Sequence, residues 1–166
     1  MPDTLRWESF SASNASVVSG FNCGTLAYCE AQSEWITSEK VFQSIRDRGT
    51  QVWLYFNEAN SLVGFGSLGK TQRRYPTQQS EYLKFSIIPS LAIQRQFWGH
   101  PHDGRKYSHQ IMSHLVMEAQ KHGRELLVLD VHEQNTHAIA LYIRLGFVNP
   151  PGQIHDRYLR MFMTLR

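Results

Sequence analysis

Leu126-Leu127-Val128-Leu129 is the most apolar short run in the chain, and six residues later Asn135 opens the segment Asn-Thr-His-Ala-Ile-Ala-Leu-Tyr-Ile-Arg-Leu-Gly-Phe that ends at Phe147. The run reads as a buried strand; the segment repeats apolar residues at helical spacing and meets a glycine stop at Gly146. A buried strand feeding a helix, with a second helical pattern ahead of it, confines the chain to an α/β architecture.

Within that helix Ala138, Leu141 and Leu145, with Ile139 beside them, supply one apolar face and a packing reason for most of the segment. Asn135 and Tyr142 are not required by it. Asn135 stands where an N-cap belongs, its side-chain oxygen able to accept an orphan helix N–H. Tyr142 fits a half-buried aromatic with its hydroxyl in water. Each has a bland reading alone, and the two together call for a further one.

With 166 residues, 42% hydrophobic and 19% charged, the chain suits one globular domain over residues 1–166 with a proper core. No apolar run is long enough to span a membrane. The first residues, Met-Pro-Asp-Thr-Leu-Arg-Trp-Glu-Ser, lack an apolar secretory region, so a cytoplasmic location is expected. Cys23 and Cys29 then read as free thiols. A net charge of +3 suits phosphate-bearing partners but falls short of a dedicated nucleic-acid binder. The eight histidines are scattered without cysteine or carboxylate partners at ligand spacing, so no metal site is expected.

In chain order, Leu5, Trp7 and Phe10 mark a short first strand or extended lead-in. Thr25 to Arg48 reads as two short helices, the second capped by Thr37 or Ser38 and stopped at Gly49. Gln51–Phe56 and Ser61–Leu68 are strand-like runs across a polar turn, a hairpin whose Gly64 and Gly66 signal a bulge or something packed closely on the backbone. Thr71 to Ser80 reads as a polar loop. A long strand pattern from Tyr82 to Ile93 is broken by Pro89, which donates no ladder hydrogen bond and so marks a bulge or an edge. A loop holding Gly99, Gly104, Arg105 and Lys106 precedes a helix with Ile111, Met112, Leu115, Val116 and Ala119 on one face. Strand, basic glycine-containing loop and helix start together can present N–H groups and a helix dipole to a phosphate.

These parts, and above all Asn135-x-x-Ala138-x-x-Leu141-Tyr142-x-x-x-Gly146-Phe147, resemble the GCN5-related N-acetyltransferases, the GNAT superfamily. The resemblance covers roughly residues 50 to 148. It implies a mixed central sheet of about six to seven strands flanked by helices, with a bulged strand splayed at an acetyl-CoA site. One departure stands out: the family's Arg/Gln-Gly-x-Gly-x-Gly/Ala loop is here Trp98-Gly99, then His-Pro-His-Asp, then Gly104-Arg105-Lys106.

The resemblance further implies that an acceptor amine attacks the thioester carbonyl of acetyl-CoA, that a backbone N–H around Leu91, Ala92 and Ile93 stabilises the oxyanion, and that Tyr142 serves as general acid. The pyrophosphate would sit on N–H groups near Tyr107 and Ser108 with Gly99, Gly104, Arg105 and Lys106 around it, and Asn135 would contact the pantetheine or its loop. Glu81 and Glu58 are candidate bases on side-chain type only. The acceptor is expected to be the primary amine of a small molecule or peptide. Phe21-Asn22-Cys23-Gly24 also resembles the opening of toxin-like acetyltransferases of aminoacyl-tRNA, and Arg73-Arg74 would suit an RNA acceptor. A non-catalytic acyl-CoA sensor is the alternative from another class. The superfamily often dimerises, and the apolar last run Tyr158–Met163 reads as a final strand.

Overall fold

A computed structural model of the chain describes residues 4–69, 74–76, 82–98, 107–150, 152 and 154–165. Among the described residues nine strands and four α-helices follow in the order β1 (Arg6–Ser9), α1 (Ala27–Thr37), α2 (Glu39–Arg48), β2 (Gln51–Phe56), β3 (Leu62–Leu68), β4 (Arg74–Pro76), β5 (Tyr82–Ile88), β6 (Leu91–Ile93), α3 (Tyr107–Lys121), β7 (Leu126–His132), α4 (Thr136–Leu145), β8 (Ile154–His155) and β9 (Tyr158–Thr164). They fall into two compact units, Met1–Gly69 with Ser90–Leu115, and Lys70–Pro89 with Val116–Arg166.

The first unit is built on an antiparallel sheet in the order β1-β2-β3-β6. Period-2 alternation in β2 sends Val52, Leu54 and Phe56 to one face, where they join Phe65 and Ala92 from the neighbouring strands and Cys29, Ile36 and Val41 from the helices in one buried cluster. Ser38 caps α2 by accepting a hydrogen bond from the N–H of Lys40 at 3.3 Å, and Gly49 closes that helix in the left-handed region.

On the opposite face Trp53 and Tyr55 surround His114 of α3. The Tyr55 hydroxyl and His114 Nδ1 lie 2.7 Å apart, and Trp7 stacks on the imidazole at 4.1 Å between ring centres. Ile111 and Leu115 of the same helix lie against Gly66, where an added Cβ would come within 3.3 Å and 3.1 Å of their methyl groups.

The second unit carries the order β4-β5-β7-β9-β8. β5 and β7 run parallel, with Phe85 opposite Leu126 and Ile88 opposite Leu129, while β7 and β9 are antiparallel over seven residue pairs. Leu126 to Leu129 are all buried, as expected of the most apolar run in the chain. Leu126 and Val128 join Leu83 and Phe162 in one buried cluster.

Two expectations change. The stretch read as a polar loop contains β4, which pairs with β5 through Arg74–Lys84, Tyr75–Leu83 and Pro76–Tyr82. Three residues are too short a run for alternation to show. The pattern read as one long strand from Tyr82 to Ile93 is two strands, β5 and β6, that pair in different sheets. Pro89 lacks the N–H needed to continue a ladder, and the chain changes sheets there.

Among the described residues no helix is long and apolar enough to cross a membrane. Cys23 and Cys29 are both free and buried. The Cys23 thiol donates to the Cys29 carbonyl at 2.9 Å, and burial, followed by the neighbouring Cys23, pushes the Cys29 thiol up to about 11.

Candidate functional site

In the first unit the predicted Leu91-Ala92-Ile93 segment is β6, an edge strand paired on one side with β3. The direction of its backbone groups follows from the ladder. Gln94 N–H donates to the Val63 carbonyl at 2.8 Å, and Phe65 lies opposite Ala92. Antiparallel pairs alternate, so Ala92 turns both its polar groups toward β3 while those of Leu91 and Ile93 point to the outer edge. The Ile93 carbonyl there accepts the Trp98 indole N–H at 2.8 Å. Leu91 N–H and C=O and Ile93 N–H are the groups this edge offers to an extended ligand.

The close approach of β6 to β3 requires a glycine at position 64. A Cβ on Gly64 would stand 2.3 Å from the Ala92 carbonyl oxygen and 3.1 Å from Ile93 Cα, contacts that backbone cannot yield without moving the strand.

Trp98, which takes the place of the family's Arg or Gln at the head of the loop, is held over the outer edge of β6. The Arg95 guanidinium lies 4.4 Å from its ring centre, and a Cβ on Gly24 would meet its Cη2 at 3.3 Å. Tyr107 and Ser108 are the first two residues of α3, the helix start expected from the sequence to face a phosphate. Tyr107 is buried against Phe97, with ring centres 5.8 Å apart, and Ser108 is half-buried. Gly99, Gly104, Arg105, Lys106 and the candidate base Glu81 lie outside the described residues.

In the second unit, Asn135 caps α4 as its sequence position predicts. Its side-chain oxygen accepts the Ala138 N–H at 3.3 Å, and its own N–H donates to the His132 carbonyl at 2.9 Å. Gly146 ends the helix at φ 106°, a conformation natural only to glycine, and the Phe147 N–H then returns to the Tyr142 carbonyl at 2.9 Å. This turn places the Phe147 ring 5.7 Å from that of Tyr142, centre to centre.

Tyr142 is more deeply buried than a half-exposed aromatic, at 8% accessible, and its hydroxyl hydrogen-bonds to no described residue. Burial pushes its phenol up to about 12. The group is therefore a proton-bearing donor throughout any working pH range.

Three side chains that sequence reasoning passed over complete the β6 corner. Ser67, fully buried on β3, donates its hydroxyl to the Ser90 carbonyl at 2.6 Å and accepts the Ser90 N–H at 3.0 Å. The Ser90 hydroxyl in turn donates to Gln32 Oε1 of α1. The one available signal was a serine amid the glycines and apolar residues of Leu-Val-Gly-Phe-Gly-Ser-Leu, a hydroxyl that must find a partner if the strand is buried. Glu58 is exposed in the hairpin turn. Phe21 and Cys23 of the Phe-Asn-Cys-Gly stretch belong to the core, and Gly24 follows at φ 125°, so packing and backbone shape account for that motif locally. Among the described residues no group of three or more histidines, cysteines or carboxylates is arranged to hold a metal ion.

The family model described as Acetyltransferase (GNAT) family matches residues 24–147, from the foot of α1 through the Gly146-Phe147 turn. A sequence comparison with curated proteins finds no match. Solved structures with the same fold include an acetyltransferase of the GNAT family from Staphylococcus aureus Mu50, 12% identical, with a TM-score of 0.69 over 98% of this chain and 100% of that one. The PaiA N-acetyltransferase from Thermoplasma acidophilum, in complex with coenzyme A, is 13% identical with a TM-score of 0.69 over 97% of this chain and 99% of that one. A mutant of the toxin AtaT, bound to the C-terminus of the antitoxin AtaR and acetyl-CoA, is 16% identical with a TM-score of 0.69 over 98% and 94%. With the family model spanning well over half of the sequence, and with the cap, tyrosine and glycine turn of α4 inside the matched region, the chain belongs to the GNAT family of acetyltransferases.

Proposed function

We propose that the chain is an acetyl-CoA-dependent N-acetyltransferase that moves an acetyl group to a primary amine on a small molecule or peptide by direct attack, and that residues 1–166 act as one acetyltransferase domain. The observation that carries this reading is the outer edge of β6, where Leu91 and Ile93 turn their backbone groups away from β3. The donor set fits the group: an edge paired on one side only, with N–H and C=O groups turned outward, is what the amides of a pantetheine arm need, because an extended ligand can pair with it as a further strand.

When bound, acetyl-CoA supplies an acetyl group activated as a thioester. The Leu91 N–H, held by the backbone and needing no reorganisation, donates to the carbonyl oxygen as negative charge gathers on it. The N–H groups at the start of α3, at Tyr107 and Ser108, would receive phosphate, with Gly99, Gly104, Arg105 and Lys106 of the preceding loop beside them. Asn135 holds the first turn of α4, and through it the placement of Tyr142.

The Tyr142 phenol acts on the departing sulfur. With its pKa near 12, complete proton transfer to a thiolate whose thiol titrates near 8.5 would run uphill by about 5 kcal/mol. Tyr142 therefore works chiefly as a hydrogen-bond donor to the developing charge. The net proton comes from the attacking amine, which must lose one as the amide forms. A buried phenol suits that task because it does not ionise as the charge beside it grows.

Thiol release from acetyl-CoA, measured with spermidine, a peptide with an N-terminal alanine, a lysine peptide and an aminoacyl-tRNA, tests the reading. Turnover with one of the first three is the expected result. Turnover confined to the aminoacyl-tRNA would move the acceptor to the toxin-like class. Tight acetyl-CoA binding with none of the four accepted would identify a sensor module.

A further inference from the structure

We propose that Ser67 is a positioning residue for the acetyl-transfer reaction: its hydroxyl replaces one rung of the β3–β6 ladder and so aims the Leu91 N–H. The inference rests on the proposed role of β6. Alternation along β3 turns the backbone of Val63, Phe65 and Ser67 toward β6, and regular pairing would place Gln94, Ala92 and Ser90 opposite them in turn. Gln94 and Ala92 obey. At the third position the pairing ends, and the Ser67 hydroxyl answers both polar groups of Ser90, accepting from its N–H at 3.0 Å and donating to its carbonyl at 2.6 Å.

A hydroxyl inserted there is a spacer. It satisfies the Ser90 backbone while holding that residue farther from β3 than a direct rung would, at the point where the chain leaves the β6 sheet for Pro89 and β5. Leu91 is the next residue, and its N–H direction is set by the peptide plane it shares with Ser90. Ser67 is fully buried and Ser90 is 5% accessible, so bulk water does not reach the pair. The Ser90 hydroxyl is tied on its other side to Gln32 of α1, which fixes the corner from a second element. A buried polar set whose members partner one another specifies one geometry where an apolar contact would tolerate several.

The test uses acetyl-CoA labelled with 13C at the thioester carbonyl, bound to the wild-type chain and to Ser67→Ala, Ser67→Thr and Ser67→Val. Thr and Val have the same shape and differ in the hydroxyl, so their comparison separates spacing by a hydrogen bond from packing. The wild-type complex is expected to show a downfield carbonyl shift from the Leu91 N–H. Thr should keep that shift; Ala and Val should lose most of it, with acetyl-CoA affinity changed by less than about threefold and kcat lowered about 100-fold. A wild-type shift in Ala and Val would overturn the inference, as would equal loss in Thr and Val. A wild-type complex with no carbonyl shift would instead remove β6 as the oxyanion donor, and the role of Ser67 with it.

Discussion

The β3–β6 corner and the β7–α4 corner are built by opposite means. At α4 every determinant lies between His132 and Phe147: Asn135 caps, Gly146 turns the chain, and Phe147 flanks Tyr142. At β6 the partners are 23 to 58 residues apart in sequence, Ser67 and Gln32 with Ser90, and Gln94 with Leu62. The first corner is a piece of local helix chemistry. The second exists only once two strands have found their register, and its polar groups then have no freedom left to adapt. In the proposed reaction the short helix would present the hydroxyl that hydrogen-bonds to the departing sulfur, and the long-range ladder the backbone N–H.

If that contrast is right, the two corners should fail differently. The largest effect is expected from Gly64→Ala, whose Cβ would sit 2.3 Å from the Ala92 carbonyl oxygen. Overpacking of this kind costs about 1–3 kcal/mol, and here the atom in the way is backbone, so β6 must shift. Acetyl-CoA affinity and thermal stability should fall together. Stability lost with full affinity retained would show that the outer edge of β6 is not where the ligand pairs.

Next in size, Tyr142→Phe should lower kcat about 100-fold, close to 2.7 kcal/mol in the barrier, with acetyl-CoA affinity nearly unchanged. Stopped-flow thiol release and calorimetry report the two quantities separately. An undiminished kcat would take Tyr142 out of the reaction and leave the β6 corner as the whole of the machinery.

Asn135→Ala should cost about 1 kcal/mol through loss of the cap to Ala138 N–H, seen as a Tm lower by about 2–4 °C. Acetyl-CoA affinity should hold. A tenfold weaker affinity would mean that Asn135 touches the ligand as well as the helix, making the α4 corner a binding element and narrowing its difference from β6.

The smallest expected effect is an absence. With the Tyr142 phenol near 12, the pH profile of kcat should show no alkaline fall below pH 10. The sign for stability agrees: a folded-state value above the unfolded value near 10 gives a contribution present in full below pH 10 and lost as pH climbs toward 12. A Tyr142→Phe variant should lack that loss in alkaline unfolding titrations. A kcat limb centred near pH 8 to 9 that disappears in the variant would contradict a fully buried phenol.

Much of the chain is legible in its residues. The strand at Leu126–Leu129, the helix from Asn135 to Gly146, the hairpin over β2 and β3 and the two helices ahead of it all carry strong local signals: unbroken apolar runs, helical spacing, caps and glycine stops. Gly64 was legible as a place where something packs on the backbone, though not what. The division of Tyr82–Ile93 between two sheets was not legible, because Pro89 marks a break without saying which partner each half takes. β4 was missed for want of length. Ser67, Ser90 and Gln32 carry no local signal of their mutual contact, and His114 looks from its sequence like one more polar residue on a helix that is in fact buried beneath Trp7, Trp53 and Tyr55.

The sequence by itself determined the α/β class, the capped helix with Tyr142 on it and the family resemblance, since each rests on periodicity or on groups within a turn or two of one another. Tertiary structure alone decided the depth at which Tyr142 is buried, and hence the height of its pKa. It also decided the direction of the Leu91 N–H and the hydroxyl that replaces a rung beside it. Desolvation depends on every atom around a group, and a strand's register depends on a partner far along the chain; neither quantity is written in the neighbours of the residue it governs.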